Sequence, residues 1–178
     1  TEKEHHSGTD RIFEAFQKLN LENIDYIINL QGDEPIIDVN DINKLYGQSL
    51  KNKSEISTLA CKIVDDKIYA KENIVKVITE QKLSEYISSK AKAFSRKVLE
   101  NSYKNIYHHI GIYMYKVSIL KKFINLKQTE NELLLKLEQL RAMENNIQID
   151  VNLANSTPIG VDTYEDYMKI KKIMENKN

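Results

Sequence analysis

Helices and buried strands alternate along the first sixty or so residues, and this order constrains the fold more than any other feature of the sequence. Apolar residues recur at helical spacing over residues 12–19, and a continuous apolar run over 24–30 is typical of a parallel strand that is buried on both faces. A second helix is predicted over 41–49 and a second strand over 55–63. This alternation predicts an α/β fold with a mostly parallel, doubly wound sheet that is flanked by helices.

The regular alternation ends near residue 65. Residues 74–79 and 83–88 are two short strand-like segments joined by a polar turn, so we expect a small β-rich excursion from the domain. Residues 90–104 are basic and lack a clear period, which predicts a loop or a weak helix. The rest of the pattern predicts a strand over 107–115, helices over 117–123 and 130–145, a strand over 147–153, and a last helix that Thr163 caps.

The composition is that of an ordinary folded domain. The 178 residues, 41% of them hydrophobic, suffice for one domain with a substantial core. The 26 basic and 26 acidic side chains balance, so no net field would draw the chain to nucleic acid or to an anionic membrane. Because no apolar stretch could span a bilayer and no signal-peptide pattern is present, we expect a cytoplasmic protein without a membrane partner. The only cysteine, Cys61, lies in an apolar run that predicts a buried thiol.

Glycine is scarce, and four of the five glycines lie in compact polar motifs. One motif, Gln31-Gly32-Asp33-Glu34-Pro35, follows the first predicted strand, and open α/β sheets bind ligands beyond the carboxyl ends of their strands. Asp33 could hold Mg²⁺ there, although the same residues also suit a plain turn. Asp162, just before the last helix, could be a helix cap or a second ligand for the same ion.

The first predicted helix begins at a second polar motif, which runs from His6 to Arg11. Hydroxyl groups, a glycine and an arginine at a helix N-terminus suit an anionic ligand. The alternative is a capped helix with a surface arginine, in which Thr9 or Asp10 satisfies the free amides of the first turn.

Two further groups of polar residues lie in the second half of the chain. His109 and Tyr113 share one face of a predicted strand, with Gly111 between them, so they could bind a polyhydroxylated ligand or pack in the core. Glu138, Gln139 and Arg141 interrupt the leucine stripe of the helix over 130–145, where a solvated face is the plainer interpretation.

In chain order, these motifs resemble those of the CMP-Kdo synthetases, the 3-deoxy-manno-octulosonate cytidylyltransferases. The matching segments run from near residue 5 to near residue 166 and are His6-Ser7-Gly8-Thr9-Asp10-Arg11, Gln31-Gly32-Asp33-Glu34-Pro35, Asn73-Ile74-Val75-Lys76-Val77, His109-Ile110-Gly111-Ile112-Tyr113, Leu137-Glu138-Gln139-Leu140-Arg141 and Gly160-Val161-Asp162-Thr163. Each motif is weak alone, but six in the right order make a specific match.

The resemblance implies roles for particular residues. It implies a Rossmann-like nucleotidyltransferase sheet, and an enzyme that transfers CMP from CTP to 3-deoxy-manno-octulosonate (Kdo) for lipopolysaccharide synthesis. The residues so assigned are Asp33 and Asp162 as catalytic Mg²⁺ ligands, Ser7, Gly8, Thr9, Arg11 and Gln31 as CTP contacts, and His109, Tyr113, Glu138 and Gln139 as contacts to the sugar acid.

The resemblance also implies a homodimer, with the β-rich excursion serving dimerisation or substrate binding. The family begins with a strand and a basic phosphate-binding loop that residues 1–178 do not match, so we expect a single cytidylyltransferase domain that lacks this β-α segment and is inactive alone. Two alternatives stay open. The protein could act on another 2-keto-3-deoxy acid, such as a sialic acid or amino-Kdo, or be an inactive remnant that binds sugar.

Overall fold

The computed structural model describes residues 1–5, 7–32, 35–98, 104–156, 160–161 and 163–175. The helices are α1 (Gly8–Leu19), α2 (Val39–Asn52), α3 (Val117–Phe123), α4 (Glu130–Leu135), α5 (Gln139–Glu144) and α6 (Tyr164–Glu175), with a 3-10 helix at Asp66–Ala70. The strands are β1 (Tyr26–Asn29), β2 (Ile56–Cys61), β3 (Lys76–Thr79), β4 (Ser89–Ser95), β5 (Ile106–Lys116) and β6 (Ile149–Leu153). None of the described helices is both long and apolar enough to cross a bilayer.

The six strands form one sheet that closes on itself. Its order is β1-β5-β2-β6-β4-β3, and β3 also pairs with β5, so that every strand except β1 belongs to a closed barrel. The length of β5 makes this possible, because one edge pairs with β2 while the other pairs with both β3 and β1. β1 is therefore appended to the barrel through the second half of β5.

The sheet is mixed, and the prediction of a mostly parallel sheet was wrong. Among the described residues, only β2 and β6 pair in parallel, and all other ladders are antiparallel. The apolar run over 24–30 misled because β1 is mostly half-buried and pairs with the antiparallel strand β5. An antiparallel strand can carry such a run when side chains cover both of its faces.

β4 forms where a loop or weak helix was predicted. The period of two is short: Lys90 and Lys92 are exposed and alternate with the more buried Ser89, Ala91 and Ala93. A register shift against β3 follows at 91–93, and Phe94, which is also buried, departs from the alternation. The segment over 83–88 forms an isolated bridge between Ser84 and Ile87 instead of the predicted strand. In place of the predicted excursion, β3 pairs with β4, and both strands form part of the barrel.

The long helix predicted over 130–145 is two short helices, α4 and α5. Lys136 adopts a left-handed conformation (φ 52°) and ends α4. The leucine stripe faces the core only in its second half: Leu133 and Leu134 are 57% and 77% exposed, whereas Leu137 is 3% exposed and Leu140 and Met143 pack against the core. Arg141, which is 2% exposed, is directed inward as well.

The two faces of β5 divide the core. Ile110, Ile112 and Met114 pack with residues of α2 and β2 on one face. Tyr113 and Tyr115 lie on the other face, in the larger cluster that includes Phe123 of α3 and Ala142 of α5. Cys61 is buried, as predicted. The polar residues of interest lie on or around the second face.

Candidate active site

A bulge in β5 shapes the site. Thr58 of β2 pairs with Tyr113, but the next residue, Leu59, pairs with Ile110, so Gly111 and Ile112 are extra in β5. A Cβ atom added at Gly111 would lie 3.9 Å from the side-chain nitrogen of Gln31, an ordinary contact distance. Gln31 therefore covers the bulge. Gly111, like the other described glycines, does not have a positive φ, so its backbone conformation does not itself require glycine.

Aromatic rings form a row along the same face of β5. His109 and Tyr113 have ring centroids 5.4 Å apart, and Tyr113 stacks on Tyr115 at 5.7 Å. Phe94 from β4 and His109 form a T-shaped pair with ring centroids 5.1 Å apart. The prediction that His109 and Tyr113 share a face is confirmed. Packing of this kind holds both rings in fixed positions.

His109 is a neutral, buried imidazole. Burial, reinforced by the neighbouring His108, lowers the pKa of His109 from 6.5 to about 3. Its Nε2 atom lies 3.0 Å from the hydroxyl oxygen of Thr58. At neutral pH the ring can therefore offer one donor and one acceptor.

Tyr113 carries a polar group without a partner. In the part of the chain that the structure describes, its buried hydroxyl makes no hydrogen bond. Tyr113 lines a cavity of about 10 Å³ together with Tyr115, Glu138 and Gln139, and apolar side chains from β2, α3, α5 and β6 complete the lining. A cavity of roughly this size holds about one water molecule, so it could admit one polar group of a ligand.

The N-terminus of α1 meets the start of α5 beside this cavity. The Ser7 hydroxyl caps α1 by accepting from the Asp10 amide, and it lies 2.7 Å from Glu138 Oε1. Thr9 is buried, with its hydroxyl 3.2 Å from that of Tyr115. Ser7 is thus the cap that had been assigned to Thr9 or Asp10. Residues that are 131 positions apart in the chain come into direct contact.

Glu138 lies in an environment that disfavours its charge. Burial raises the pKa of its carboxyl above the ordinary value, and hydrogen bonds from Ser7 and Thr9 offset this in part. Gln139 beside it is 9% exposed. The expectation of a solvated face at these positions was wrong, because the break at Lys136 turns α5 inward.

Two residues of the predicted nucleotide segment stand apart from this cluster. The guanidinium of Arg11 donates to Thr1 Oγ1 and to the carbonyl oxygens of Glu2 and Lys3, at 3.0 to 3.2 Å, and the side chain is exposed. Gly8 is the first residue of α1 and has open space where a Cβ would project. Their roles as CTP contacts stay predictions.

The two carboxylates predicted to hold Mg²⁺, Asp33 and Asp162, lie outside the described residues, as does His6. Within the described ranges, no three His, Cys, Asp or Glu side chains are grouped so as to hold a metal ion. The segment leading to Asp162 is anchored as far as Ser156, because the buried carboxylate of Asp41 accepts from the amides of Asn155 and Ser156. The Mg²⁺ site stays a prediction.

Two buried polar features lie beside the site. The sequence favours a solvated position for Arg141, which is wrong, and it does not single out Thr58. Arg141 forms a bidentate ion pair with Glu132, and its guanidinium carbon lies 4.7 Å from the centre of the Phe123 ring. Thr58, which is fully buried on β2, contacts both His109 and the β5 bulge. The one available signal for Thr58 was the pair of hydroxyl residues, Ser57 and Thr58, within a buried, otherwise apolar strand.

Comparison with known proteins places the chain in a family. A family model described as Cytidylyltransferase matches residues 1–149. The 3-deoxy-manno-octulosonate cytidylyltransferase of Bartonella bacilliformis is 37% identical over 175 residues, covering 98% of this chain and 71% of the relative. The enzyme of that name from Rickettsia canadensis is 39% identical over 171 residues, covering 96% and 67%.

A solved structure gives the same result. CMP:2-keto-3-deoxy-manno-octonic acid synthetase, in complex with CTP, superposes with a TM-score of 0.85 at 32% identity and covers all of this chain and 72% of that chain. A UDP-glucose pyrophosphorylase complexed with UDP-glucose superposes at 0.69 with 11% identity, which shows a shared nucleotidyltransferase-like fold. The chain therefore belongs to the cytidylyltransferase family, among the 3-deoxy-manno-octulosonate cytidylyltransferases.

Proposed function

We propose that this protein transfers CMP from CTP to Kdo, giving CMP-Kdo and pyrophosphate for the lipopolysaccharide inner core. The observation that carries the proposal is the contact between Ser7 and Glu138. It joins the segment assigned to the nucleotide to the segment assigned to the sugar acid, on one face of β5. A transfer reaction requires this proximity, because its two substrates must be held together in a productive orientation.

In the proposed reaction, the anomeric hydroxyl of the acid attacks the α-phosphorus of CTP. The bond between the α-phosphorus and the bridging oxygen breaks, and pyrophosphate leaves. Bound Mg²⁺ would neutralise the charge of the triphosphate, with the carboxylates of Asp33 and Asp162 as its proposed ligands. Support for these two ligands comes from the position of Asp33 after β1 and of Asp162 before α6.

The acid would bind along the ring row of β5. The Tyr113 hydroxyl, the His109 imidazole, Glu138 and Gln139 offer donors and acceptors within a mostly apolar surround. The Tyr113 hydroxyl, which lacks a partner among the described residues, would discriminate strongly, because a ligand without a matching polar group leaves it unpaired. This arrangement favours a polyhydroxylated acid over an apolar one.

Pyrophosphate release tests the proposal. The intact reading frame would be expressed and incubated with CTP, Mg²⁺ and, in separate reactions, Kdo, amino-Kdo and a sialic acid. We expect the largest kcat/KM with Kdo. A larger value with another acid would reassign the substrate, and no release with any acid would refute the enzyme and favour a sugar-binding remnant.

Two matched variants test the metal ligands. Asp33→Asn and Asp162→Asn each remove one charge with little change of shape, so we expect both to abolish turnover while the circular dichroism spectrum stays unchanged. Near-normal turnover in either variant would remove that residue from the site. A homodimer is part of the same proposal, supported by the family resemblance, and light scattering measures it directly.

A further inference from the structure

The Thr58 hydroxyl has three polar neighbours and only one proton. Its oxygen lies 2.7 Å from the carbonyl oxygen of Ile112, 3.1 Å from that of Ile110, and 3.0 Å from His109 Nε2. Carbonyl oxygens can only accept, so the hydroxyl proton is directed to them. The Thr58 oxygen must then accept from His109, and the hydrogen in that bond is on Nε2.

Burial makes this arrangement durable. Thr58 is 0% and His109 9% exposed, so water competes poorly for these bonds. Because burial, together with the adjacent His108, lowers the pKa of His109 to about 3, a second proton is disfavoured at neutral pH. With Nε2 protonated and the ring neutral, Nδ1 is bare and can only accept.

We propose that Thr58 is a positioning residue. It holds His109 in the Nε2–H tautomer, so that Nδ1 can accept a hydrogen bond from a hydroxyl group of the sugar acid. The assignment of the ligand rests on the proposed function, whereas the tautomer rests on the contacts of Thr58 alone. The residue acts through His109 and is not itself assigned a substrate contact.

Thr58 also contacts the backbone at the β5 bulge. The two carbonyls that receive its proton, those of Ile110 and Ile112, flank Gly111, where the β2–β5 register shifts. The hydroxyl thus fixes the backbone on both sides of the bulge as well as the imidazole. A test must separate a local effect on the ring from a general loosening of β5.

Nitrogen-15 NMR of the histidine-labelled intact protein reads the tautomer directly. In the parent and in Thr58→Ser, we expect a protonated Nε2 and an unprotonated Nδ1 for His109. In Thr58→Val, which keeps the shape and removes the hydroxyl, we expect this pattern to be lost to the other tautomer or to an average. A parent with hydrogen on Nδ1, or a valine variant that keeps the parent pattern, would overturn the proposal.

Steady-state kinetics supply the second readout. We expect Thr58→Val to raise the KM for the acid about tenfold, the effect of one lost hydrogen bond, with Thr58→Ser near the parent value. An unchanged KM beside a changed tautomer would overturn the positioning role. If Thr58→Val fails to fold, Thr58→Ala takes its place. Failure of the proposed function can be told apart from failure of this inference. In that case the parent protein would turn over no acid, while nitrogen-15 NMR would still show His109 in the Nε2–H tautomer.

Discussion

The buried hydroxyl of Tyr113 lacks a hydrogen-bond partner within the described residues. Because an unpaired buried hydroxyl costs free energy, we expect Tyr113→Phe to leave the free energy of unfolding unchanged or to raise it by up to about 1 kcal/mol. The same variant should raise the KM for the acid. Denaturant unfolding and steady-state kinetics measure the two effects.

Tyr115→Phe is the matched control, since the Tyr115 hydroxyl does have a partner in Thr9. We expect it to lower the free energy of unfolding by about 1 kcal/mol. If Tyr113→Phe proved the more destabilising of the two, the Tyr113 hydroxyl would have a structural partner and the interpretation would fail.

The buried imidazole of His109 should make folding stability depend on pH. The pKa of His109 is about 3 in the folded protein, against an ordinary value of 6.5. Between pH 3 and pH 6.5, the unfolded chain therefore binds a proton at this imidazole that the native protein does not bind. The free energy of unfolding should therefore fall as the pH decreases below 6.5, by up to about 1.4 kcal/mol per unit. We expect His109→Gln to flatten this slope between pH 6.5 and 5.

His108→Gln serves as the comparison, because His108 is the less buried neighbour, whose pKa is also lowered by burial. Its effect on the slope should be the smaller one. Equal slopes in His109→Gln and the parent would show that the imidazole of His109 titrates normally.

At the scale of elements, the ion pair between Glu132 and Arg141 ties α4 to α5. Both side chains are nearly inaccessible, and Glu132 also accepts from the Thr129 amide in a capping box. Since removal of one partner leaves a buried charge unpaired, we expect Glu132→Ala to lower the free energy of unfolding by about 3 kcal/mol. Denaturant titration measures the change.

Two controls define this result. Glu130→Ala, at an exposed position of the same helix, should change the free energy by less than about 0.5 kcal/mol. The apolar pair Glu132→Leu with Arg141→Met should recover most of the loss, because neither charge then remains buried. A double variant as unstable as Glu132→Ala would show that the pair contributes more than charge compensation.

The elements that the sequence predicted well are those whose signal is local. The helix over 117–123 and the aromatic strand around Tyr113 lie where periodicity put them, within a residue or two. The break between α4 and α5 depends on the positive φ of Lys136, a residue type that gives no sign of a turn. The direction of the strands depends on pairing across distant segments, which a hydrophobic run does not record.

At the scale of the whole molecule, the candidate site assembles from distant segments that pack against one face of β5. The order of motifs in the sequence identified the family and its candidate residues. It could not show that Ser7 would touch Glu138, because this contact depends on how α1 and α5 pack against one face of β5. Nor could it show Thr58, whose role appears only once the bulge in β5 is known.

The central claim is that this face of β5 forms the acid-binding half of a CMP-transfer site. Its most direct test is the KM for Kdo in Glu138→Gln, measured by pyrophosphate release with CTP saturating, beside Glu130→Gln as an exposed control. We predict a rise of about tenfold or more in Glu138→Gln, because an amide donor replaces one of the two carboxyl oxygens, and a control within about twofold of the parent. Equal KM values in the parent and both variants would contradict the account.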